Sequence, residues 1–242
     1  MTKPSVIHRM CSAIRLGLRL HGIRLPLVLM QRCWRFMRLR WSGPQTFEFA
    51  GQTHRYHFDY YSLDNERAVE VALARDFLRG RTGNILEVGN VLSHYLDFPH
   101  DIVDKYEIAP GVINEDIVGF SPGRKYDYIV SLSTLEHVGW DEQPREPEKI
   151  IKAVNHLKKL LKDGGQMLAT MPLGYNPHVD ELVRTRQTGF EDVRYLRRIS
   201  STNRWREVKW EEVDEIPYNS PFPCANAIIV GTFSKPPSDK GE

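Results

Sequence analysis

Apolar residues recur at helical spacing twice near the start of the chain. Ile7, Met10, Cys11, Ile14 and Leu18 form one stripe; after an interruption at Pro26, Leu27, Met30, Trp34, Met37 and Trp41 form another. Gln31, Arg32, Arg35 and Arg38 stand opposite the second stripe, so residues 1–43 read as a basic amphipathic helical arm. From Thr46 to Tyr61 the period falls to two. Phe47 and Phe49 precede Ala50-Gly51-Gln52, and Tyr56, Phe58 and Tyr60 follow, which predicts a small β-hairpin within 44–63 with its aromatics on one face. That face either packs on a neighbour or stacks on a ligand. Asp64 or Asn65 then caps a helix lined by Val69, Ala72, Leu73 and Phe77 and ending at Gly80.

Beyond Gly80 short apolar runs alternate with polar loops, the order a doubly wound sheet requires. Ile85-Leu86-Glu87-Val88 breaks at Gly89; Ile102-Val103 runs into Asp104-Lys105-Tyr106-Glu107; Val112-Ile113 runs into Asn114-Glu115-Asp116; Tyr126-Asp127-Tyr128-Ile129-Val130-Ser131 is a stronger strand. A helix is predicted from about Glu146 to Leu161, with Ile150, Val154, Leu157 and Leu161 inward and Lys152, Lys158, Lys159 and Lys162 outward. It stops at Asp163-Gly164-Gly165, and Gln166 to Met171 makes the next strand. Residues 64–234 thus read as one α/β domain, and 235–242, with Pro236-Pro237-Ser238, as a disordered tail.

Length and composition agree with that division. A chain of 242 residues with 41% hydrophobic and 26% charged side chains suits one globular α/β domain with additions. Cys11, Cys33 and Cys224 lie far apart, which excludes a disulfide framework or a cysteine zinc site and fits a reducing, cytoplasmic setting. The net charge of +2 conceals an asymmetry. Nine basic residues and no acid fall within residues 1–47, leaving 24 basic against 31 acidic residues, a net −7, for the remainder. The arm suits an anionic membrane surface through residues 1–41, with arginines at the headgroups and Trp at the apolar edge. Its other readings are a helix packed on the core or on a second subunit, a targeting peptide, or a nucleic-acid arm. Arginines interrupt every apolar stretch, so neither a membrane span nor a signal peptide is expected. The acidic remainder runs against a nucleic-acid partner.

The loop at Gly89 is the first candidate site. It stands where a nucleotide-binding sheet places its first ligand turn, but Asn90-Val91-Leu92-Ser93-His94-Tyr95 lacks the further glycines of a phosphate-cradling G-x-G-x-x-G. The strand Ile85-Leu86-Glu87-Val88-Gly89, the later strand ends Asp104 and Asp116, the run Tyr126 to Ser131 with Leu135-Glu136-His137-Val138, and Leu160-Leu161-Lys162-Asp163-Gly164-Gly165 occur in order. Together they resemble the class I S-adenosylmethionine-dependent methyltransferases, with a divergent glycine motif, over roughly residues 64–233. The resemblance implies a Rossmann-like, seven-stranded, mostly parallel sheet with an antiparallel final hairpin, for which Tyr195–Ile199 and Ala227–Phe233 are the candidate strands. It also implies S-adenosyl-L-methionine as cofactor. Asp104, with Glu107 as a rival, would bind the ribose hydroxyls and Asp116 the adenine amino group. Gly89 and Asn90 would approach the methionine moiety and Ser131 would lie at the cofactor, while Glu87 would fix the loop or meet the cofactor's ammonium through water. Only fourteen residues separate Gly89 from Asp104, too few for a full intervening helix, so the adenosine half of the pocket is expected to be remodelled.

Methyl transfer from a sulfonium asks the protein mainly for alignment. An oxygen nucleophile adds a need for a base, for which His137 with its neighbour Glu136 is the candidate; the same pair also serves as structural framing. In Pro172-Leu173-Gly174-Tyr175-Asn176-Pro177-His178, Tyr175, Asn176 and His178 would orient an acceptor, unless the segment is a plain turn. Asn203, Arg204, Trp205, Arg206 and Trp210 form a basic-aromatic insert that suits a sugar or acidic acceptor, or else an exposed hairpin. The spacing of His94, His100 and His178 matches no metal signature. The expectation is methyl transfer to a small-molecule or glycan-type acceptor near a membrane. The alternatives are a catalytically degenerate scaffold or binding protein of the same fold and, behind it, a nucleotide-dependent oxidoreductase.

Overall fold

The computed structural model describes residues 45–59 and 61–237, together with Met30, Cys33, Trp34 and Met37 of the preceding segment. The remainder of the amphipathic arm, Tyr60, and residues 238–242 of the expected tail lie outside the described residues. The alternating apolar runs form one sheet of eight strands. In chain order the elements are β1 (Thr46–Phe49), β2 (Gln52–Arg55), α1 (Arg67–Leu78), β3 (Ile85–Val88), β4 (Asp101–Val103), β5 (Val112–Ile113) and β6 (Tyr126–Leu132). They continue with α2 (Lys149–Leu160), β7 (Leu161–Pro172), α3 (Pro177–Arg184), β8 (Asp192–Arg198), β9 (Trp205–Val208) and β10 (Ala227–Ser234).

The sheet order is β5-β4-β3-β6-β7-β10-β8-β9. The first five are mutually parallel, whereas β10, β8 and β9 add on as antiparallel neighbours. The mostly parallel sheet with an antiparallel close is therefore present, with one strand more than expected. The extra strand is β9, from the segment whose alternation also read as a hairpin. Its Trp205 is not exposed: the ring is 3% accessible, and its indole N–H donates to Asn203 Oδ1 at 2.8 Å.

Burial explains why these runs are strands. All four residues of β3 are buried, as a central parallel strand covered on both faces demands. One face packs against α2 and α3 through Ile150, Val154, Leu157, Val179 and Val183; the other packs against α1 through Ala68, Val69, Val71 and Ala72. Removing each of Ile150, Val154 and Leu157 from water stabilises the fold by ~1.5–3 kcal/mol. The helix predicted from Glu146 begins at Lys149, and Leu161 opens β7 instead of closing the helix. Between β3 and β4 there is only a single 3₁₀ turn, Leu92–His94, whose Leu92 is fully buried.

The β1–β2 hairpin turns at Ala50-Gly51, both with positive φ (51° and 73°), as a two-residue connection matching strand twist requires. Phe47, Phe49 and Tyr56 are buried against α1, so this aromatic face is a packing face. The hairpin also reaches β9. The Ala50 N–H donates to Glu207 Oε2 at 2.8 Å, and the Trp205 N–H donates to the Tyr56 hydroxyl at 2.8 Å. At the other end, Lys235 exchanges backbone hydrogen bonds with Gly164 and Gly165 at 2.9 Å, so order extends past the expected boundary at 234. In the arm, Met30, Cys33, Trp34 and Met37 are helical, and Met30, Trp34 and Met37 are 66%, 61% and 42% exposed. Among the described residues no helix is long and apolar enough to cross a membrane.

Candidate active site

Register aligns the carboxyl ends of the central strands, since Val88 lies opposite both Val103 and Ser131. The loops that follow therefore converge, and a cavity of about 350 Å3 opens where they meet. Val88, Val103, Ile117 and Val138 give it apolar walls, while Asp104, Glu107, Glu115, Asp116 and Glu142 give it an acidic rim answered by Lys105. Of the expected cofactor residues, Gly89, Asn90, Asp104, Glu107 and Asp116 line this cavity and Glu87 and Ser131 do not; of the expected catalytic pair His137 lines it and Glu136 does not, and none of the expected acceptor residues Tyr175, Asn176 and His178 does.

Gly89 is required twice over. Its φ is +83°, and a Cβ there would lie 2.1 Å from Thr134 Oγ1. Asn90 follows as a knot of hydrogen bonds: its N–H donates to Asp104 Oδ2 at 3.0 Å, its Nδ2 to Glu107 Oε1 at 2.6 Å, and its Oδ1 accepts from Ser93. Asp104 Oδ1 accepts the N–H groups of Tyr106 and Glu107, each at 2.8 Å. Partial burial alone would raise the Asp104 carboxyl, but the three N–H groups hold it below the usual carboxylate range. Asp104 thus builds the turn, and Glu107, 40% exposed in its side chain, stands beside it as the second carboxylate over the same cavity.

Asp116 sits in a four-charge network. Its Oδ2 meets Lys105 at 2.9 Å and Lys149 at 2.6 Å, and Glu142 meets the same two ammonium groups at 2.9 and 2.5 Å. Against a desolvation that works the other way, the two lysines hold the Asp116 carboxyl at about 2. Of these four residues the sequence singled out Asp116 alone.

Four expected site residues have different work. Glu87, 1% exposed, accepts the N–H of Val91 at 2.7 Å and of Leu92 on Oε1, while Oε2 meets His100 Nε2 at 2.7 Å. It therefore fixes the loop from behind and does not face a ligand. Ser131 is fully buried and ties β6 to β3 by donating to the Val88 carbonyl at 3.1 Å; the cavity is met instead by Ser133 and Thr134, just past the strand end. Asn176 is fully buried and caps α3: its Oδ1 accepts the His178 N–H at 3.0 Å and its Nδ2 donates to the Glu136 carbonyl at 2.8 Å. His178, in the first turn of α3, lies 3.5 Å from Glu148, away from the cavity.

His137 and Tyr175 remain together. His137 Nδ1 lies 2.5 Å from Asp141 Oδ2, which also accepts the Tyr175 hydroxyl at 2.6 Å, and the two rings meet edge to face at 4.9 Å. Burial would raise Asp141, but the hydrogen bonds from Tyr175 and His137 hold its carboxyl below the ordinary range. His137 Nε2 is 3.5 Å from Glu136 Oε1. Glu136 itself is 1% exposed behind the cavity, and burial pushes its carboxyl well above the usual range. Among the described residues no group of three or more His, Cys, Asp or Glu is placed to hold a metal ion.

No family model matches the chain, and no curated protein does. Similar solved structures include the N-methyltransferase NodS of Bradyrhizobium japonicum in complex with S-adenosyl-L-homocysteine, at 15% identity and a TM-score of 0.46, covering 71% of this chain and 87% of that one. A possible histamine N-methyltransferase of Thermotoga maritima gives 16% identity and a TM-score of 0.43, covering 67% and 87%. The 1,6-didemethyltoxoflavin-N1-methyltransferase of Burkholderia thailandensis, with its substrate and S-adenosylhomocysteine bound, gives 11% and 0.43, covering 80% and 100%. At these scores the likenesses describe part of the chain's course and nothing of its chemistry.

Proposed function

We propose that the protein transfers a methyl group from S-adenosyl-L-methionine to a small-molecule acceptor. One observation carries this reading: the nucleoside-sized cavity at the strand ends is built to refuse phosphate. In a phosphate-binding turn, free backbone N–H groups face the anion. Here the N–H groups of Val91 and Leu92 are already held by Glu87, and five carboxylates border the space against two lysines, Lys105 on the rim and Lys149 behind Asp116 and Glu142. Such a rim favours a cationic ligand without phosphate, which a sulfonium nucleoside is and a dinucleotide is not. Asp104 and Glu107 are the residues for ribose hydroxyls, the apolar walls suit an adenine ring, and Gly89 and Thr134 border the methionine side. When bound, the cofactor supplies an activated methyl group.

Calorimetric titration tests the reading. S-adenosylmethionine or its demethylated product should bind, and NADH and ATP should not. No binding of either sulfur nucleoside at millimolar concentration leaves the scaffold alternative standing. We further propose that the arm holds this activity at an anionic membrane surface. The exposure of Met30, Trp34 and Met37 on one helical segment, in an acid-free stretch rich in arginine, supports it. Flotation with phosphatidylserine vesicles should recover the protein, and W34S/M37S should be recovered less; equal recovery refutes the placement.

A further inference from the structure

Three arginines, Arg197, Arg198 and Arg206, border a separate cavity of about 510 Å3 toward the β9 end of the sheet. It opens at the carboxyl end of β8, on the same edge of the sheet as the first cavity, because Arg197 lies opposite Ala227 and the next residue of β10, Ile228, lies opposite Pro172 at the end of β7. Three strand spacings, about 14 Å, separate β8 from β6, so this cavity is not the methyl-transfer centre. Among the described residues no acidic side chain lines it.

The rim carries uncompensated charge. β8 and β9 set Arg197 directly opposite Arg206, and like charges at opposed positions of an antiparallel pair repel. Arg206 has a counterion, since its Nη2 donates to Glu212 Oε2 at 2.9 Å. Among the described residues the Arg197 guanidinium makes neither a hydrogen bond nor an ion pair. Two guanidinium groups against one carboxylate leave one positive charge on the rim unanswered, with the N–H fork of Arg197 open. The wall beneath is fixed. Arg198, 4% exposed, donates from Nε to the Ser200 carbonyl at 3.3 Å and from Nη1 to the carbonyls of Asp64 and Pro223 at 2.8 and 2.9 Å, and its guanidinium lies 4.8 Å from the centre of the Phe222 ring. Asn226, 2% exposed, accepts the Phe222 N–H on Oδ1 at 3.1 Å and donates from Nδ2 to the Phe222 carbonyl at 2.8 Å. These bonds hold Phe222 in an apolar wall that Ile199 and Ile216 complete.

We propose that this cavity is a second ligand site, separate from the cofactor cavity, and that it takes an aromatic monocarboxylate. A carboxylate matches the planar fork of a guanidinium through two parallel N–H···O bonds, and Arg197 has that fork to offer. One negative charge answers the one left over on the rim. A phosphate monoester or sulfate brings nearly two and meets Glu212 beside Arg206. The ring of the ligand lies against Phe222, Ile199 and Ile216, a contact that a bare inorganic anion cannot make. Binding also lifts the repulsion between Arg197 and Arg206, so the ligand stabilises the β8–β9 pairing itself. The basic-aromatic insert, which the sequence suits to a sugar or acidic acceptor, is thereby divided: Arg206 borders this cavity, while Asn203 and Trp205 are buried in the fold.

The test uses three probes on one ring system: 2-naphthoate, 2-naphthylmethanol and 2-naphthyl phosphate. Each is titrated into the full-length protein in a calorimeter, with and without excess S-adenosylhomocysteine. The carboxylate should bind at least about tenfold more tightly than the alcohol and about threefold more tightly than the phosphate, equally well with and without the nucleoside. Arg197→Gln should weaken carboxylate binding about tenfold and leave S-adenosylhomocysteine binding within about twofold of the wild type. Because the Arg197 guanidinium bonds to nothing in the fold and faces a like charge, the variant should melt no lower than the wild type. Naphthoate should raise the Tm of the wild type and not that of R197Q. Carboxylate and alcohol binding alike, phosphate binding best, none of the three binding, displacement of naphthoate by S-adenosylhomocysteine, or R197Q keeping the full affinity each overturns the proposal.

Discussion

Replacing Glu136 by Gln should make this protein more stable at neutral pH. The side chain is 1% exposed, Oε2 has no partner, and burial and the nearby Glu70 and Glu66 raise its carboxyl, with Arg67 opposing. Below the ordinary glutamate value of ~4.3, folded and unfolded chains both hold the proton, and the group makes no difference. Above it the unfolded chain gives the proton up while the folded chain keeps it. Unfolding is then favoured by ~1.4 kcal/mol for each pH unit, until the folded carboxyl also ionises. Glutamine has no proton to release and escapes that slope. In urea melts at half-unit steps from pH 4.5 to 7, the two proteins should agree within ~1 kcal/mol at the acid end, where acid and amide are near-isosteric. They should then diverge, with E136Q gaining on the wild type as pH rises, by at most ~1.4 kcal/mol per pH unit. Glu66, also raised by burial, contributes the same slope to both and cancels in the difference. Parallel curves, or a wild type that gains on the variant with rising pH, would show that Glu136 is not an unsatisfied buried acid.

Gly89→Ala should cost ~2–5 kcal/mol in the same melts, combining a left-handed backbone with the overlap on Thr134, and should abolish S-adenosylhomocysteine binding; a loss under ~1 kcal/mol contradicts the contact. Glu87→Ala breaks the buried pair with His100 at a cost of ~3–5 kcal/mol. It also frees the N–H groups of Val91 and Leu92, so sulfate should raise the Tm of the variant and not of the wild type. Asp116→Asn leaves Lys105 and Lys149 with Glu142 alone, so binding titrations should show the ratio of S-adenosylhomocysteine to ATP affinity falling; an unchanged ratio removes charge as the selector. Because the folded Asp116 carboxyl stays ionised down to about 2, its stabilisation is present above ~4 and lost as pH falls toward 2. With 31% of the side chain exposed, that contribution is at most ~1 kcal/mol, read as the acid-limb difference between wild type and D116N.

The fold was legible because strands and helices are written as periodicities: β3, β6 and α2 follow apolar patterns visible without any structure. The place of the cavity was legible too, since it follows from where parallel strands end. What each polar residue does there was not. Whether an oxygen faces a ligand depends on how many neighbours already occupy it, and Glu87, Asp104 and Asn176 spend theirs on backbone N–H groups brought near by the turn. Ser131 was misplaced by two residues because it still belongs to β6, which turns only at Ser133. Glu70 left a signal that went unused, a lone acid inside Ala68-Val69-Glu70-Val71-Ala72, whose other four residues are completely buried.

The two ends of the sheet set how this molecule can meet copies of itself. One outer strand, β5, is two residues long, and the other, β9, is overlain by the β1–β2 hairpin through Ala50 and Tyr56. Neither margin offers a continuous row of open backbone groups, so strand-to-strand growth, the usual route from a large sheet to aggregation, is closed at both sides. Among the described residues, the large apolar side chains open to solvent are Met30, Trp34 and Met37 on the amino-terminal helical segment and Tyr61, Tyr106, Ile108 and Ile199 elsewhere. Three of these seven share one short helical segment, so replacing Met30, Trp34 and Met37 together should change solubility during purification more than replacing any one of the others.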